Sequence, residues 1–355
     1  MNSRDRTNAP VKNTPVKNTP VKNAPVKNTG VKITDVAAAA GVAPMTVSRV
    51  LNTPERVAEP TARRVREAID RLGYVPNLLA GGLSSRRSRM IAAIVPTIAS
   101  PMFSAPIQSF TEVLGQAGYH VMLGLSGYAA DGEDALIRAV MTRRPDGMLL
   151  TGATHSPQVR RLLRDADIPV VEIWDASATP TDMLVGFDHA ELGAAVADFF
   201  AASGHRDFVV LAAGDPRAAA RREGFVRRVA QHGGTLVAET TLPAPAGIID
   251  GRLALRAIAG RLGPRTALFG SSDNVAFGAM VEARALGIAV PERLAICGFG
   301  DFELSRSSEP PFTTVSVDGL EMGRIAARNL LARMNGRGAV PRVLVPARIV
   351  AREST

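Results

Sequence analysis

Residues 40–52 read Ala-Gly-Val-Ala-Pro-Met-Thr-Val-Ser-Arg-Val-Leu-Asn, a pattern that predicts a tight turn followed by a short helix. Gly41 permits the turn, because glycine adopts a positive φ without steric cost. Proline is favoured at the first position of a helix, so the helix is expected to begin at Pro44. Apolar residues then recur at three- and four-residue spacing, which predicts one buried face made of Val47, Val50 and Leu51.

Two further helices flank this one. The first is expected from Thr34 through an alanine run that Gly41 ends, and the third from Glu59 to Leu72, ended by Gly73. The third helix should bury Val65, Ile69 and Leu72 and direct its arginines mostly outward: Arg63, Arg64, Arg66 and Arg71.

This arrangement can lay the second helix in the major groove of DNA. Met45 and Thr46 would then contact thymine methyl groups, and Arg49 could donate two hydrogen bonds to a guanine. The alternative is an ordinary helical hairpin with exposed polar residues.

The distribution of charge favours DNA binding. Residues 1–90 hold 16 Lys and Arg against 6 Asp and Glu, a net charge of +10, whereas the rest of the chain holds 26 against 27. Excess positive charge confined to one end is typical of a nucleic-acid-binding module attached to a nearly neutral body.

Residues 1–30 are predicted to be a disordered basic tail. A five-residue unit, Pro-Val-Lys-Asn-Thr, begins at Pro10 and repeats from Pro15, Pro20 and Pro25. Proline at every fifth position prevents a helix, and one valine per unit cannot form a core. Its lysines could contact DNA phosphates, although an inert solvated leader is equally compatible with the pattern: Lys12, Lys17, Lys22 and Lys27.

From Met90 onward, short apolar runs alternate with amphipathic stretches. Continuous apolar strands separated by helices predict parallel sheets covered on both faces, and two sets of runs predict two α/β lobes. The runs are 91–95, 121–125, 147–150 and 170–173 in the first set, and 208–211, 267–270 and 294–298 in the second.

Composition excludes several classes of protein. The chain of 355 residues is 46% hydrophobic, holds no apolar stretch long enough to span a membrane and begins without a signal-peptide core, so we expect a cytoplasmic protein of two or three domains. Cys297 is the only cysteine, which excludes an internal disulfide. Enzyme motifs are missing apart from a weak Gly298-x-Gly300 signal, so we expect neither catalysis nor a cofactor nor a metal site.

Several motifs in order resemble the lactose-repressor family of transcriptional regulators. They are the run Ile33-Thr-Asp-Val-Ala, the segment 40–52 and the run Leu72-Gly-Tyr-Val-Pro-Asn77. The resemblance implies a DNA-binding domain over 31–76 and a hinge helix over 77–89. The DNA-contacting positions that it implies are Thr34, Pro44, Met45, Thr46, Ser48, Arg49, Asn52, Arg56, Ala80 and Leu83.

Two departures from the family bear on DNA binding. Ala43 stands where a Ser or Thr usually caps the second helix, which should weaken that helix by about 0.5–2 kcal/mol. Gly81 and Gly82 lie inside the implied hinge helix, and each should cost about 1 kcal/mol of helix stability relative to alanine.

The remaining chain also resembles the family's effector-binding and dimerisation domain, which is similar to periplasmic sugar-binding proteins. The resemblance implies one domain over 90–350, with one lobe over about 90–187 plus 318–345 and the other over 188–317. It implies a homodimer on operator DNA with a ligand between the lobes. Supporting motifs are Ser272-Asp-Asn-Val-Ala-Phe-Gly278, Ala295-Ile-Cys-Gly-Phe-Gly-Asp-Phe302 and Pro311-Phe-Thr-Thr-Val315.

Other motifs resemble the gluconate-utilisation repressors within the family, among them Thr151-Gly-Ala-Thr-His-Ser-Pro157 and Val170-Val-Glu-Ile-Trp-Asp175. The resemblance therefore implies a sugar-acid effector such as gluconate that releases the protein from its operator. Arg221 is expected to grip the carboxylate or adjacent hydroxyls with its guanidinium fork. The implied effector-binding set is Phe103, Tyr128, His155, Asp175, Arg221, Ser272, Asp273 and Asp301.

Structural roles remain open for some of these residues. Asp175 and Asp273 could instead cap a helix or end a strand, Phe103 could belong to the core, and His155 could cap a turn. Gly300 occupies a position where relatives carry a sugar-binding Asp, so Asp301 need not replace it. For the whole chain, the alternative to a regulator is a sugar-binding protein of the periplasmic type without a regulatory role.

Overall fold

The computed structural model describes residues 30–75 and 88–355, and the chain divides into two compact units between Ser85 and Arg86. The predicted repeat tail and most of the predicted hinge, including Ala80 and Leu83, lie outside the described residues.

Residues 30–75 of the first unit form three helices. They are α1 (Ile33–Ala40), α2 (Pro44–Asn52) and α3 (Glu59–Leu72), with a short 3-10 turn at Pro54–Arg56. Gly41 and Gly73 end α1 and α3 with φ values of 64° and 62°, the left-handed conformation that a glycine adopts at the end of a helix. As expected, Ala43 precedes α2 without a side-chain cap. The helix-turn-helix is thus formed by the residues that predicted it.

The core of this unit consists of small apolar side chains. Val47 and Val50 of α2 are buried against α1 and α3, and Ile69 and Leu72 pack partly buried beside them. The prediction for Leu51 is wrong, because 37% of its surface remains exposed. It lies in the last turn of a nine-residue helix, about 100° around the axis from Val50, so it points past the core.

The second unit begins with a six-stranded parallel sheet in the order β11-β5-β4-β3-β1-β2. Its helices are α4 (Pro101–Gln116), α5 (Ala130–Met141), α6 (Pro157–Asp165) and α12 (Gly319–Met334). Its strands are β1 (Met90–Val95), β2 (His120–Leu125), β3 (Gly147–Thr151), β4 (Val170–Ile173), β5 (Met183–Gly186) and β11 (Arg342–Leu344). We call this part of the unit the N-terminal lobe.

A second six-stranded sheet has the order β12-β10-β9-β8-β6-β7, and only its edge strand β12 is antiparallel. Its helices are α7 (His189–Ala202), α8 (Pro216–Gln231), α9 (Ile248–Ile258), α10 (Asp273–Ala285) and α11 (Glu303–Ser307). Its strands are β6 (Asp207–Ala213), β7 (Thr235–Leu242), β8 (Thr266–Gly270), β9 (Leu294–Phe299), β10 (Thr313–Val317) and β12 (Ala347–Val350). We call this part the C-terminal lobe.

The chain passes three times between the lobes. It leaves the first sheet after β5, returns to pack α12 against α4 after β10, and leaves again between β11 and β12. Three connections between the same two lobes can act as a hinge about which the lobes rotate while each sheet stays intact. No helix among residues 30–75 and 88–355 is long and apolar enough to cross a membrane.

The predicted fold class, a helical head followed by two parallel-sheet α/β lobes, is confirmed. All seven apolar runs form strands, whereas five strands escaped prediction: β5, β7, β10, β11 and β12. Three of these lie at sheet edges, where one side of the strand needs no burial and the apolar run is broken by polar residues.

Residues beyond the predicted domain end at 350 also belong to the C-terminal lobe. Ser354 is fully buried, and its hydroxyl donates to the Ile296 carbonyl at 2.6 Å and accepts from the Thr313 N–H at 2.9 Å. The last residues therefore bridge neighbouring strands β9 and β10.

Helices α7 and α8 cross in direct backbone contact. A Cβ atom at Gly193 of α7 would overlap the carbonyl oxygen of Arg221, and one at Gly224 of α8 would overlap that of Ala190. Only glycine can occupy both positions at this helix separation. The crossing fixes the backbone of Arg221, the residue that the sequence singled out for ligand binding.

We predict that Gly193→Ala lowers the free energy of unfolding by at least about 1–3 kcal/mol, because the helices must move apart to admit the methyl group. Urea unfolding followed by circular dichroism measures the change. Gly260→Ala is the matched control, since a Cβ atom there meets nothing within 4 Å. Equal stability of the two variants would contradict the close crossing.

Candidate DNA-binding helix and ligand cleft

The outer face of α2 carries the side chains expected to read bases. Met45 is 63% exposed, Pro44 and Arg49 are also exposed, and Thr46 and Ser48 are half-buried. A methionine this exposed on a short helix has no role in the core, so this face fits contact with a partner. Of the other predicted contacts, Thr34 and Arg56 are exposed, and the side chain of Asn52 lies outside the described residues.

The second unit holds a cavity of about 240 Å³ between its two lobes. It lies where β1, β2, β6, β7 and β8 end, because the carboxyl ends of parallel strands meet at the same edge of a sheet and leave a crevice there. The walls are Thr97, Ala99, Ser100, Met102, Phe103 and Tyr128 from the N-terminal lobe and Ala213, Asp215, Arg217, Arg221, Pro245, Ala246, Gly247, Ser271, Ser272 and Asn274 from the C-terminal lobe.

Four of the eight predicted effector residues line this cavity: Phe103, Tyr128, Arg221 and Ser272. Phe103 is buried in the core as well, so the structural alternative for it also applies. Burial and the charge of Asp215 raise the pKa of Tyr128, which keeps its hydroxyl neutral and able to donate a hydrogen bond.

Arg221 lies in the cavity wall with 3% of its surface exposed. Its Nη2 donates to the Ser271 carbonyl at 2.9 Å, its Nη1 lies 2.8 Å from His189 Nδ1, and its guanidinium stacks 4.0 Å from the centre of the Phe299 ring. Its buried Nε has no partner among the described residues. Burial lowers the pKa of Arg221 to about 10, so the side chain remains charged at neutral pH.

His189 connects Arg221 to the other lobe. Its Nε2 lies 3.1 Å from the carbonyl oxygen of Trp174. The Nε2 proton must point to that carbonyl, which leaves Nδ1 to accept from Arg221. Burial and the charge of Arg221 hold the pKa of His189 well below its usual value, consistent with this neutral form.

Trp174 follows β4 with a φ of 65°, a conformation that costs an aromatic residue about 1–3 kcal/mol. Its ring packs edge-on against Phe103 at 6.3 Å and Phe187 at 5.5 Å. Phe187 in turn lies 6.0 Å from Phe299 of the C-terminal lobe. These aromatic contacts and the hydrogen bond from His189 stabilise a strained backbone at the junction of the lobes.

His155 does not line the cavity. Its side chain is 1% exposed inside the N-terminal lobe, with Nδ1 3.1 Å from Glu133 Oε2 and Nε2 3.4 Å from Glu172 Oε1. Burial lowers the pKa of His155, but hydrogen bonds and the charges of both glutamates outweigh it and raise the pKa to about 9. The charged histidine joins α5, which carries Glu133, to β4, which carries Glu172.

The three predicted aspartates also lie outside this cavity. Asp175 accepts from the N–H groups of Ala176, Ser177 and Ala153, which is the strand-end role that the sequence left open. Asp273 is the first residue of α10 and accepts from Phe302 N–H at 2.7 Å and Thr314 Oγ1 at 2.5 Å. Burial raises the pKa of Asp273 to about 7.

Asp301 lines a second, larger cavity of about 620 Å³ beside the crossovers, together with Trp174 and Gly300. Its carboxylate lies 2.6 Å from Nη2 of Arg352, and this pairing outweighs burial and lowers the pKa of Asp301. The four predicted residues outside the smaller cavity thus bind to neighbouring protein groups in this structure.

Six polar residues of the cavity wall were missed from the sequence: Thr97, Ser100, Asp215, Arg217, Ser271 and Asn274. Asp215 precedes α8 as its N-cap, and Arg217 lies one turn before Arg221 on the same helix. The sequence signal was present, since side chains four residues apart share a helix face. Among the described residues, no cluster of His, Cys, Asp and Glu could hold a metal ion.

A helix-turn-helix head and a two-lobed domain with a polar cleft define a ligand-responsive DNA-binding regulator. Family models agree with both parts. Residues 32–77 match the model of bacterial regulatory proteins of the lacI family, and residues 197–355 match the periplasmic binding protein-like domain.

Curated relatives match most of the chain. The HTH-type transcriptional regulator GntR of Escherichia coli strain K12 is 32% identical over 87% of this chain and 94% of its own. The regulator of the same name from Pseudomonas aeruginosa is 34% identical over 90% of this chain and 94% of its own. The chain therefore belongs to the lacI family of bacterial regulatory proteins, and it is a DNA-binding transcriptional regulator with a small-molecule effector.

Solved structures agree with this fold. A LacI-family transcriptional regulator from Silicibacter pomeroyi is 29% identical with a TM-score of 0.85, over 91% of this chain and 99% of the other. The transcription regulator GntR from Chromobacterium violaceum is 32% identical with a TM-score of 0.72, over 75% of this chain and 98% of the other. The predicted membership of the lactose-repressor family is confirmed.

We predict that the free energy of unfolding of the wild-type protein falls by about 3 kcal/mol as the pH rises through 9. The cause is the raised pKa of His155 in the folded protein. The folded pKa is raised above the unfolded value of about 6.5, so this stabilisation is complete below pH 6.5 and is lost above pH 9. Urea unfolding from pH 6 to pH 10 should show the decline in wild type and a flatter profile in His155→Gln.

The control is His232→Gln, because His232 is a surface histidine that pairs with Asp198 and is 39% exposed. That variant should keep the decline that His155 produces. An unchanged profile in His155→Gln would show that His155 is not held charged in the folded protein.

Proposed function

We propose that this protein is a repressor that binds a pseudo-palindromic operator as a homodimer and is released by a sugar acid such as gluconate. The observation that carries the proposal is the cleft cavity, which combines two guanidinium groups, one carboxylate and several hydroxyl groups in about 240 Å³. This mixture suits a small polyhydroxylated anion, because arginine binds carboxylates through paired hydrogen bonds and the hydroxyl-bearing side chains match sugar hydroxyls.

Closure of the lobes is the step that would couple ligand binding to a change in DNA affinity. The cavity walls come from both lobes, so a ligand that contacts both favours one relative orientation. A ligand can shift the equilibrium between two states only by its difference in affinity for them. A change from 99:1 to 1:99 requires about 5.5 kcal/mol of differential affinity.

A second copy of the chain is the proposed partner for an exposed apolar face of α9. Ile248, Ile249 and Leu253 are 39%, 70% and 60% exposed on this helix. Apolar side chains clustered on a surface favour association, and two copies would provide the two recognition helices that a two-fold operator requires. Footprints with two symmetric half-sites are expected.

The effector is tested by titration calorimetry and by operator release. We expect gluconate to bind, to release selected operator DNA and, at a hundred times its dissociation constant, to stabilise the protein by about 2.7 kcal/mol. Glucose is a neutral sugar and should do none of these at the same concentration. Release by glucose and not by gluconate would contradict a sugar-acid effector.

The reading of bases is tested at Arg49. Arg49→Ala should weaken operator binding by about 1–3 kcal/mol and relax discrimination at one base position of each half-site, because a bidentate contact to guanine is lost. Arg63→Ala is the control, since this exposed arginine lies on α3. Discrimination equal to wild type in Arg49→Ala, measured by competition with base-substituted operators, would remove Arg49 from the base-reading set.

A further inference from the structure

Arg217 extends from the C-terminal lobe across the cleft to the N-terminal lobe. Its backbone lies in the first turn of α8, while its guanidinium carbon lies 5.4 Å from the centre of the Phe103 ring on α4. A Cβ atom at Gly152, which follows β3, would lie 3.3 Å from Nη1 of Arg217. The side chain therefore lies against two segments of the opposite lobe, inside the cavity wall.

The guanidinium of Arg217 keeps its hydrogen-bonding capacity. Its one ion pair is loose, with Nε 3.8 Å from Asp215 Oδ1, and its side chain is 14% exposed. Oδ1 of Asp215 is itself occupied as the helix cap, since it accepts from the N–H groups of Arg217 and Ala218 at 3.1 and 3.2 Å. Within residues 30–75 and 88–355, the terminal nitrogens of Arg217 donate no hydrogen bond.

Arg221 differs in this respect. Each of its terminal nitrogens already donates one hydrogen bond, one to the Ser271 carbonyl and one to His189. Each terminal nitrogen carries a second N–H and Nε–H has no partner among the described residues, but these two hydrogen bonds and the stacking on Phe299 fix the guanidinium plane at the junction of the lobes. Arg221 is thus built into the junction of the lobes, whereas Arg217 faces the cavity with its fork available.

We infer that Arg217 binds the carboxylate of the effector and makes the cleft selective for sugar acids over neutral sugars. This inference rests on the proposed function and names the residue responsible for its substrate class. The carboxylate would accept from the two terminal nitrogens, where the fork of a guanidinium matches the two oxygens. Phe103 holds the guanidinium plane from the N-terminal lobe, so the contact also depends on how the lobes are closed.

Asp215 supports the same assignment. Its charge lies beside Arg217, and it also raises the pKa of Tyr128. One fixed carboxylate opposite two arginines leaves the cavity one positive charge in excess, which a monoanionic ligand would neutralise. A neutral sugar would leave that charge buried without a partner, which disfavours its binding.

The experiment compares gluconate with gluconamide, its neutral isostere, by titration calorimetry on the full-length protein. Wild type should prefer gluconate by roughly 10-fold to 100-fold, the range for a hydrogen-bonded charge pair. Arg217→Gln should reduce this preference to about threefold or less. Arg217→Lys should give an intermediate preference, because a lysine keeps the charge and loses the fork.

Arg227→Gln is the control, since Arg227 is an exposed arginine of α8 that does not line the cavity. It should keep the wild-type preference. A wild-type preference retained in both Arg217 variants would overturn this inference and leave the proposed function standing. A wild-type protein that binds neither gluconate nor related aldonates, or that prefers gluconamide, would overturn both.

Discussion

The backbone contact between α7 and α8 is the constraint on which the ligand cleft depends. Gly193 and Gly224 let each helix contact a carbonyl group of the other, which places Arg221 in the wall of the cavity. Arg221 then needs partners, because a buried guanidinium left unpaired is costly. Ser271, His189 and the face of Phe299 provide them. The helix packing thus fixes the position of Arg221, and Arg221 in turn orients the residues around it in the cleft.

The same contact places Arg221 at one end of a chain of hydrogen bonds between the lobes. From Arg221, hydrogen bonds run through His189 to the carbonyl of Trp174, which lies in the N-terminal lobe in a strained conformation. Aromatic rings from both lobes surround this path, and Arg217 adds a separate contact to Phe103. A change in lobe orientation must alter these contacts together. Strain held by surrounding packing is common at sites that switch between two arrangements.

Sequence patterns predicted the elements that local rules control. Gly41 and Gly73 marked helix ends, Pro44 marked a helix start, and continuous apolar runs marked the buried strands. Three of the four edge strands, β7, β11 and β12, gave no such signal, because half-exposed strands carry polar residues. The expected buried role of Leu51 failed for a related reason: periodicity gives the direction of a side chain but not how far the opposing core extends.

The sequence by itself determined the class of this protein. The charged head and the helix-turn-helix spacing indicate DNA binding, and two sets of apolar runs indicate two α/β lobes. The motifs at 33–37, 40–52 and 72–77 resemble this family, and all of these signals are local. Only the tertiary structure decided which polar residues face the ligand cleft and which bind to other groups of the protein. Arg217 and Arg221 share one helix face, yet α7 buries the second and leaves the first in the cleft. His155 lies between two glutamates far along the chain, and Asp175 and Asp273 accept backbone N–H groups. Partners that come from distant segments cannot be read from spacing, because the fold alone brings them together.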